Sequence, residues 1–415
     1  MSIAYFPPEM IEDVLLQLPI DSNLTAIASA SKSQFAPFLL GNASFAKRHF
    51  RHKVSSSDTI WEYMDEANIK FDGWLSLPFN YMLAIYADIL TAPVRIIDRK
   101  GVKTVGKDAT KNIVHPRRWE NLPSHTALRI MKTLVRDPND PLDTSCNDNR
   151  PFRWAAYQNQ VQVVDFLLTE CPNIDPNVFN HQVIGKVAEY GYAEMVKRLL
   201  QDSRIDPTSD DNYAIQCACE DGRVDVVRVL LEDGRADPSS DQNYAICYAS
   251  QKGRTDVVKM LLDDPRVDPS ASDNFSIQRA SWRGHTDIVK LLLSDSRVNP
   301  TASNNVPLRV ASEYGHFGVV KVLLADHRVD PTAKDNEAFR KAVENWHFQV
   351  VDLLLKDGRV DVSLETGSPM VHLCIQRALK WNLGPDASIK EIHQVSDMKA
   401  LLLTYSRIRK LNIPL

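Results

Sequence analysis

Val226, Val227, Leu230 and Leu231 fall at i, i+1, i+4 and i+5, a single apolar stripe along one α-helix. The polar markers around it recur with a fixed period. Asn212, Asn243, Asn274, Asn305 and Asn336 are each 31 residues apart, as are Gly191, Gly222, Gly253, Gly284 and Gly315, with Trp346 in the sixth glycine slot. The spacing predicts two short helices per unit. The asparagine is expected to cap a first helix of about nine residues by accepting backbone N–H groups one turn ahead. The glycine ends that helix, because a left-handed residue costs little without a Cβ. Glu194, Asp225, Asp256 and Asp287 follow, at the positive end of a second helix. Asp-Pro pairs at 206–207, 237–238, 268–269 and 330–331 then halt the chain. One helix pair cannot hide such a stripe alone, so neighbouring units must stack into a solenoid.

The unit resembles an ankyrin repeat. Gly284-His285 and Gly315-His316 match the family's inter-helix pair, Ile288 to Leu293 and Val319 to Leu324 match its second helix, and Ile215, Ile246, Ile277 and Leu308 fill its buried leucine slot. The units are 31 residues where the family has about 33, and Asn-x-Ala-Ile stands in place of Thr-Pro-Leu-His. The expected fold is all-α, an ankyrin-type helical-pair solenoid. Its array covers 118–415, with regular units at about 212–366, degenerate ones at 149–180 and 181–211, a partial second helix from Ile130 to Val135, and a capping helix at 397–408 after an insertion at 382–396. The resemblance implies a protein target held by the finger tips and by the two residues before each inter-helix glycine. At those slots stand Glu189-Tyr190, Glu220-Asp221, Gln251-Lys252, Trp282-Arg283, Glu313-Tyr314 and Glu344-Asn345. Tyr190, Lys252, Trp282, Arg283 and Tyr314 are the candidate target-binding residues, with the centre placed on the aromatic and arginine side chains that dominate interface energies.

Residues 1–53 read as a small helical segment. Met10, Ile11, Val14, Leu15 and Leu18 share a helical face that Pro19 stops. Phe6-Pro7-Pro8-Glu9, Leu18-Pro19, and Ala28-Ser29 with Ser31-Lys32 and Phe35 resemble an F-box. That resemblance implies docking on a Skp-type adaptor of a cullin ubiquitin ligase through Pro8, Ile11, Leu15, Leu18, Pro19 and Leu24, with the repeats holding the substrate. The alternative is an ankyrin scaffold in which these helices cap the solenoid, since terminal repeats need covering. Residues 54–117 read as a helical connector, with Trp61, Tyr63 and Met64, then Trp74, Leu77, Tyr81, Ala84 and Ile85, on two amphipathic helices packing onto the array's first units.

Charge and chemistry narrow the function. Net charge is −4, and 149–367 holds 25 basic against 33 acidic residues, which opposes nucleic-acid binding. No stretch reaches the roughly 18 apolar residues of a membrane span. The first ten residues lack a secretory pattern, so an intracellular location, cytoplasmic or nuclear, is expected. Gly101 to Lys107 fits GxxxxGK, but Asp108 occupies the hydroxyl position and would repel phosphate. His285, His316 and His347 recur at 31, yet units stacked about 10 Å apart cannot share one ion, so structural roles are expected. Cys217 and Cys219 read as packed thiols. Arg204, Arg235, Arg266, Arg297, Arg328 and Arg359 read as turn residues paired with the Asp or Asn two positions later. With no cofactor motif and no catalytic grouping, the chain is expected not to be an enzyme.

Overall fold

Each first helix begins with a left-handed turn. Asp210, Asp211 and Asn212 have φ of 54°, 54° and 65° with ψ between 35° and 52°, and right-handed helix follows. The same run recurs at 147–149, 241–243, 272–274, 303–305 and 334–336. Left-handed backbone costs most side chains about 1–2 kcal/mol per residue and Asn or Asp less, which explains the Asp-Asn and Ser-Asn composition of these turns. The turns are held from several sides. Side chains four positions past the asparagine donate to a turn carbonyl: Gln216 to Asp211 O at 2.7 Å, Gln278 to Asp273 O at 2.6 Å and Arg340 to Asp335 O at 3.0 Å. Just upstream, Asp237 Oδ1 accepts from the N–H and hydroxyl of Ser239 at 2.9 and 2.7 Å, a tight turn repeated at Asp206, Asp268, Asn299 and Asp330.

The structure is a computed structural model describing residues 15–16, 46, 48–49, 79–91, 95–98, 101–104, 122–177, 182–362, 368–380 and 389–408. It divides into two units, one of residues 1–183 with 197–205 and one of 184–196 with 206–415.

The first unit holds helices α1 (Phe79–Thr91), α2 (Ser124–Val135), α3 (Cys146–Tyr157) and α4 (Val161–Glu170), and strands β1 (Arg95–Asp98) and β2 (Gly101–Thr104). Packing of α1 on α3 and of α2 on α4 repeats the first-on-first, second-on-second stacking of the regular units. Among the described residues this stacking already includes α1. Tyr81, Ile85 and Phe152 are fully buried between these helices, and Tyr86 meets Trp154 edge-on at 5.4 Å. β1 and β2 form an antiparallel hairpin with Arg95 opposite Thr104 and Asp98 opposite Gly101. The connector thus carries a short hairpin within the expected all-α, ankyrin-type fold. Gly101 to Thr104 lie in a strand; Val105 to Asp108 lie outside the described residues, as do Trp61, Tyr63, Met64, Trp74 and Leu77.

In the second unit five regular helix pairs follow one another: α7 (Ser209–Asp221) with α8 (Val224–Asp233), α9 (Ser240–Lys252) with α10 (Thr255–Leu262), α11 (Ala271–Arg283) with α12 (Thr286–Ser294), α13 (Ala302–Glu313) with α14 (Phe317–Leu324), and α15 (Ala333–Glu344) with α16 (Phe348–Asp357). A degenerate pair, α5 (Gln182–Tyr190) and α6 (Ala193–Leu200), precedes them, and α17 (Pro369–Lys380) and α18 (Ile389–Ile408) close the array. α18 runs through the second half of the expected insertion as one helix, with Val395, Met398 and Leu402 buried. Along α8, Val226, Val227 and Leu230 are fully buried, as are Ile215, Ile246, Ile277 and Leu308 of the first helices.

Three hydrogen-bond ladders recur along the array, and two of them correct the sequence reading. The asparagine does not cap its own helix: Asn212, Asn243, Asn274 and Asn305 each accept, through Oδ1, the backbone N–H twenty-five residues on, at Asp237, Asp268, Asn299 and Asp330, over 2.6 to 2.9 Å. The arginines pair with the aspartate two residues earlier, not later. Arg266 grips Asp264, Arg297 Asp295, Arg328 Asp326 and Arg359 Asp357 at 2.6 to 2.7 Å. Each of these then donates through Nη1 to a carbonyl of the preceding repeat, at Ala236, Val267, Val298 and Val329. The guanidinium in each pair holds its carboxyl below the usual range. In the third ladder the residue after each glycine donates to a carbonyl thirty-four positions back: Arg223 to Glu189, Arg254 to Glu220, and His285, His316 and His347 to Gln251, Trp282 and Glu313, at 2.9 to 3.0 Å. The glycine makes room for this. A Cβ at Gly284, where φ is +79°, would lie 2.6 Å from His316 Nδ1.

Candidate functional site

The first helices leave a half-exposed row of side chains, because their buried faces carry the small residues Ala249, Ala280 and Ala311 beside Ile246, Ile277 and Leu308. The row is richest at α11 and just beyond α13. Trp282 and Tyr314, one repeat apart, meet edge-on at 6.2 Å between centroids. Tyr314 also lies parallel to His316 at 6.3 Å, while His316 Nε2–H donates to Trp282 O at 2.9 Å. The imidazole therefore holds both aromatic residues in register. The Arg283 guanidinium sits 4.1 Å above the Trp282 ring, and that of Arg279 lies 4.1 Å from Phe275 and 5.3 Å from Trp282. Tyr314 is 53% exposed, the most exposed large apolar side chain among the described residues.

The structure thus brings together three of the five predicted target-binding residues, Trp282, Arg283 and Tyr314. Lys252 is tied to Glu220 at 3.2 Å. Tyr190 leans on Tyr192 at 5.7 Å, four slots before Tyr314 and so roughly 40 Å away at about 10 Å per unit. Sequence reasoning missed Phe275 and Arg279. They precede Trp282 by seven and three positions on the same helical face, a 3.6-residue signal that the two-residues-before-glycine rule passes over. It also missed Tyr244 and Tyr248, which stack at 3.9 Å with the Tyr244 hydroxyl donating to Glu220 at 3.1 Å.

The thiols are placed for packing. Burial pushes Cys217 up to about 11 and Cys247 up to about 12, and raises the wholly buried Cys219 as well. None is a ready thiolate at neutral pH. Among the described residues no group of three or more His, Cys, Asp or Glu side chains could hold a metal ion, and no helix is long and apolar enough to cross a membrane. Of the predicted adaptor contacts only Leu15 is described, and it is 1% exposed; Pro8, Ile11, Leu18, Pro19 and Leu24 lie outside the described residues.

No curated protein matches the chain. The family model for ankyrin repeats matches residues 184–273 and 275–335, in three copies. The repeats of this stretch are thus of the ankyrin type, a family whose repeats serve as protein-interaction scaffolds.

Proposed function

We propose that this chain is a protein-interaction scaffold whose partner docks on the first-helix face centred on Trp282. The observation that carries the reading is the Trp282–Tyr314 pair, two large aromatic side chains left partly open to solvent and locked by His316. Rigid aromatic residues lose little conformational freedom on binding and dominate interface energies. Crosslinking of the full-length chain in extract from its source cell, with W282A/Y314A alongside, tests it. Captured proteins should disappear in the double variant at an unchanged melting temperature, and capture that is indifferent to W282A/Y314A would refute the face.

For the N-terminal segment the capping reading has the better support. Leu15 and Ala46 are buried by their own chain, and buried His49 shares a 2.6 Å hydrogen bond through Nδ1 with the Tyr81 hydroxyl of α1. The finer reading, a substrate receptor of a cullin-type ligase, would need the same leucine for a Skp-type adaptor. Co-purification separates the two. Under the capping reading wild type retains no such adaptor and L15D lowers the melting temperature; an adaptor retained by wild type and lost in L15D would establish the receptor instead.

A further inference from the structure

Arg279 and Arg283 stand apart from the other cations of the first helices. Past the left-handed turns, α5 to α15 carry Lys186, Lys252, Arg309, Arg340 and Lys341. Lys186 is held by Glu189 at 2.5 Å, Lys252 by Glu220 at 3.2 Å, Arg309 by Glu337 at 2.8 Å and Lys341 by Glu313 at 3.5 Å. Arg340 donates to the carbonyls of Asp335 and Lys334. Arg279 and Arg283 meet aromatic rings and, among the described residues, no carboxylate. A ring face attracts a cation but leaves the five N–H donors of a guanidinium without acceptors. Arg279 Nε is shielded from water and has no hydrogen-bond partner. A shielded donor without an acceptor is unfavourable, so this guanidinium is under-satisfied in the isolated chain.

The shape of the donor set selects the acceptor. Two guanidiniums ordered by stacking present planar forks that match a carboxylate. Around them the repeats are acidic, with 33 acidic against 25 basic residues over 149–367. That field repels a long polyanion, while Arg279 and Arg283, which among the described residues meet no carboxylate, offer a short acidic segment a local pair of cations on the first-helix face. Trp282, Phe275 and Tyr314 beside the arginines give such a segment apolar surface to cover.

Building on the first-helix face proposed above, we infer that the partner presents an acidic peptide segment, with a carboxylate received by Arg279 and Arg283 and a neighbouring apolar side chain lying on Trp282 and Tyr314. The test offers the full-length chain to an array of decapeptides centred on Glu-Asp, Lys-Arg or Ser-Thr, each with and without an adjacent Phe. Retention of the Glu-Asp peptides that carry Phe is expected, weakened about tenfold in R279Q/R283Q and unchanged in K290Q, which removes an exposed second-helix cation. Should R279Q/R283Q lower the melting temperature, R283Q alone, at an exposed side chain, replaces it. Preference for Lys-Arg peptides, absence of any retention, or acidic binding that survives the arginine variants overturns the inference. Acidic binding that survives R279Q/R283Q yet is lost in W282A/Y314A would leave the face standing and remove only its chemistry. Binding untouched by both double variants would remove the face itself.

Discussion

Asn274 sits in left-handed backbone and spends its side-chain oxygen twenty-five residues on, at 2.6 Å from Asn299 N. Removing that acceptor strands a part-buried N–H, so N274A should lower unfolding stability in urea by about 1–3 kcal/mol, well beyond the usual effect of an exposed substitution. The position of this residue was legible from the period, but its job was not. Asparagine is favoured both at helix N-caps and in left-handed turns, and a count of 31 cannot separate the two. The clue was the Asp, Ser or Asn run just before it, which holds no good helix former in most units. The arginine ladder was misread for a similar reason, since each arginine has an Asp two positions before it and an Asp or Asn two positions after, and only geometry chooses between them. Its pairs carry a pH signature. The carboxyls of Asp264, Asp295 and Asp326 titrate below their unfolded range, so their contribution is complete above about pH 4 and is lost as pH falls through the lowered folded values. D264N/D295N/D326N should be less stable than wild type at pH 7 and closer to it at pH 3, as read from urea midpoints at the two values.

At the scale of the element, each helix pair is completed by its neighbour. Gly284 shows this, because its φ of +79° suits glycine and the next repeat's His316 fills the space a side chain would need. G284A should therefore destabilise the chain by more than the 1 kcal/mol or so of left-handed strain alone, with a lowered melting temperature as the measure. The glycine slot was readable from sequence as a helix stop. The reason that the following residue is Arg or His was not, because it lies in a contact spanning 34 positions. α1 was expected as a helix, but its place in the stacking pattern was hidden for a different reason. The hairpin and further residues separate it from α2, so the pair has no fixed spacing for a period search to find, although Tyr81, Ala84 and Ile85 did mark its buried face.

For the array as a whole, burial is shared between neighbours, and interior repeats have two while end repeats have one. Hydrogen exchange on the intact chain should find the slowest amides in α9 to α14 and faster ones in α17 and α18, and uniform protection from α7 to α18 would contradict nearest-neighbour stability. The periodic half of the molecule could be read because every unit repeats one solution to the same burial problem. The binding face was partly readable, since Trp282 and Tyr314 break the pattern where the core keeps it, while the pairing state of Arg279 depends on which carboxylates its neighbours already occupy.

The strap from each asparagine to the backbone twenty-five residues on closes within one period of the chain. Splicing out residues 243–273 would leave Asn212 bound to Asp237 and Asn274 bound to Asn299, with every seam still chemically whole. Copy number can thus drift by whole units without any compensating change, whereas a cut of any other length leaves a frayed join.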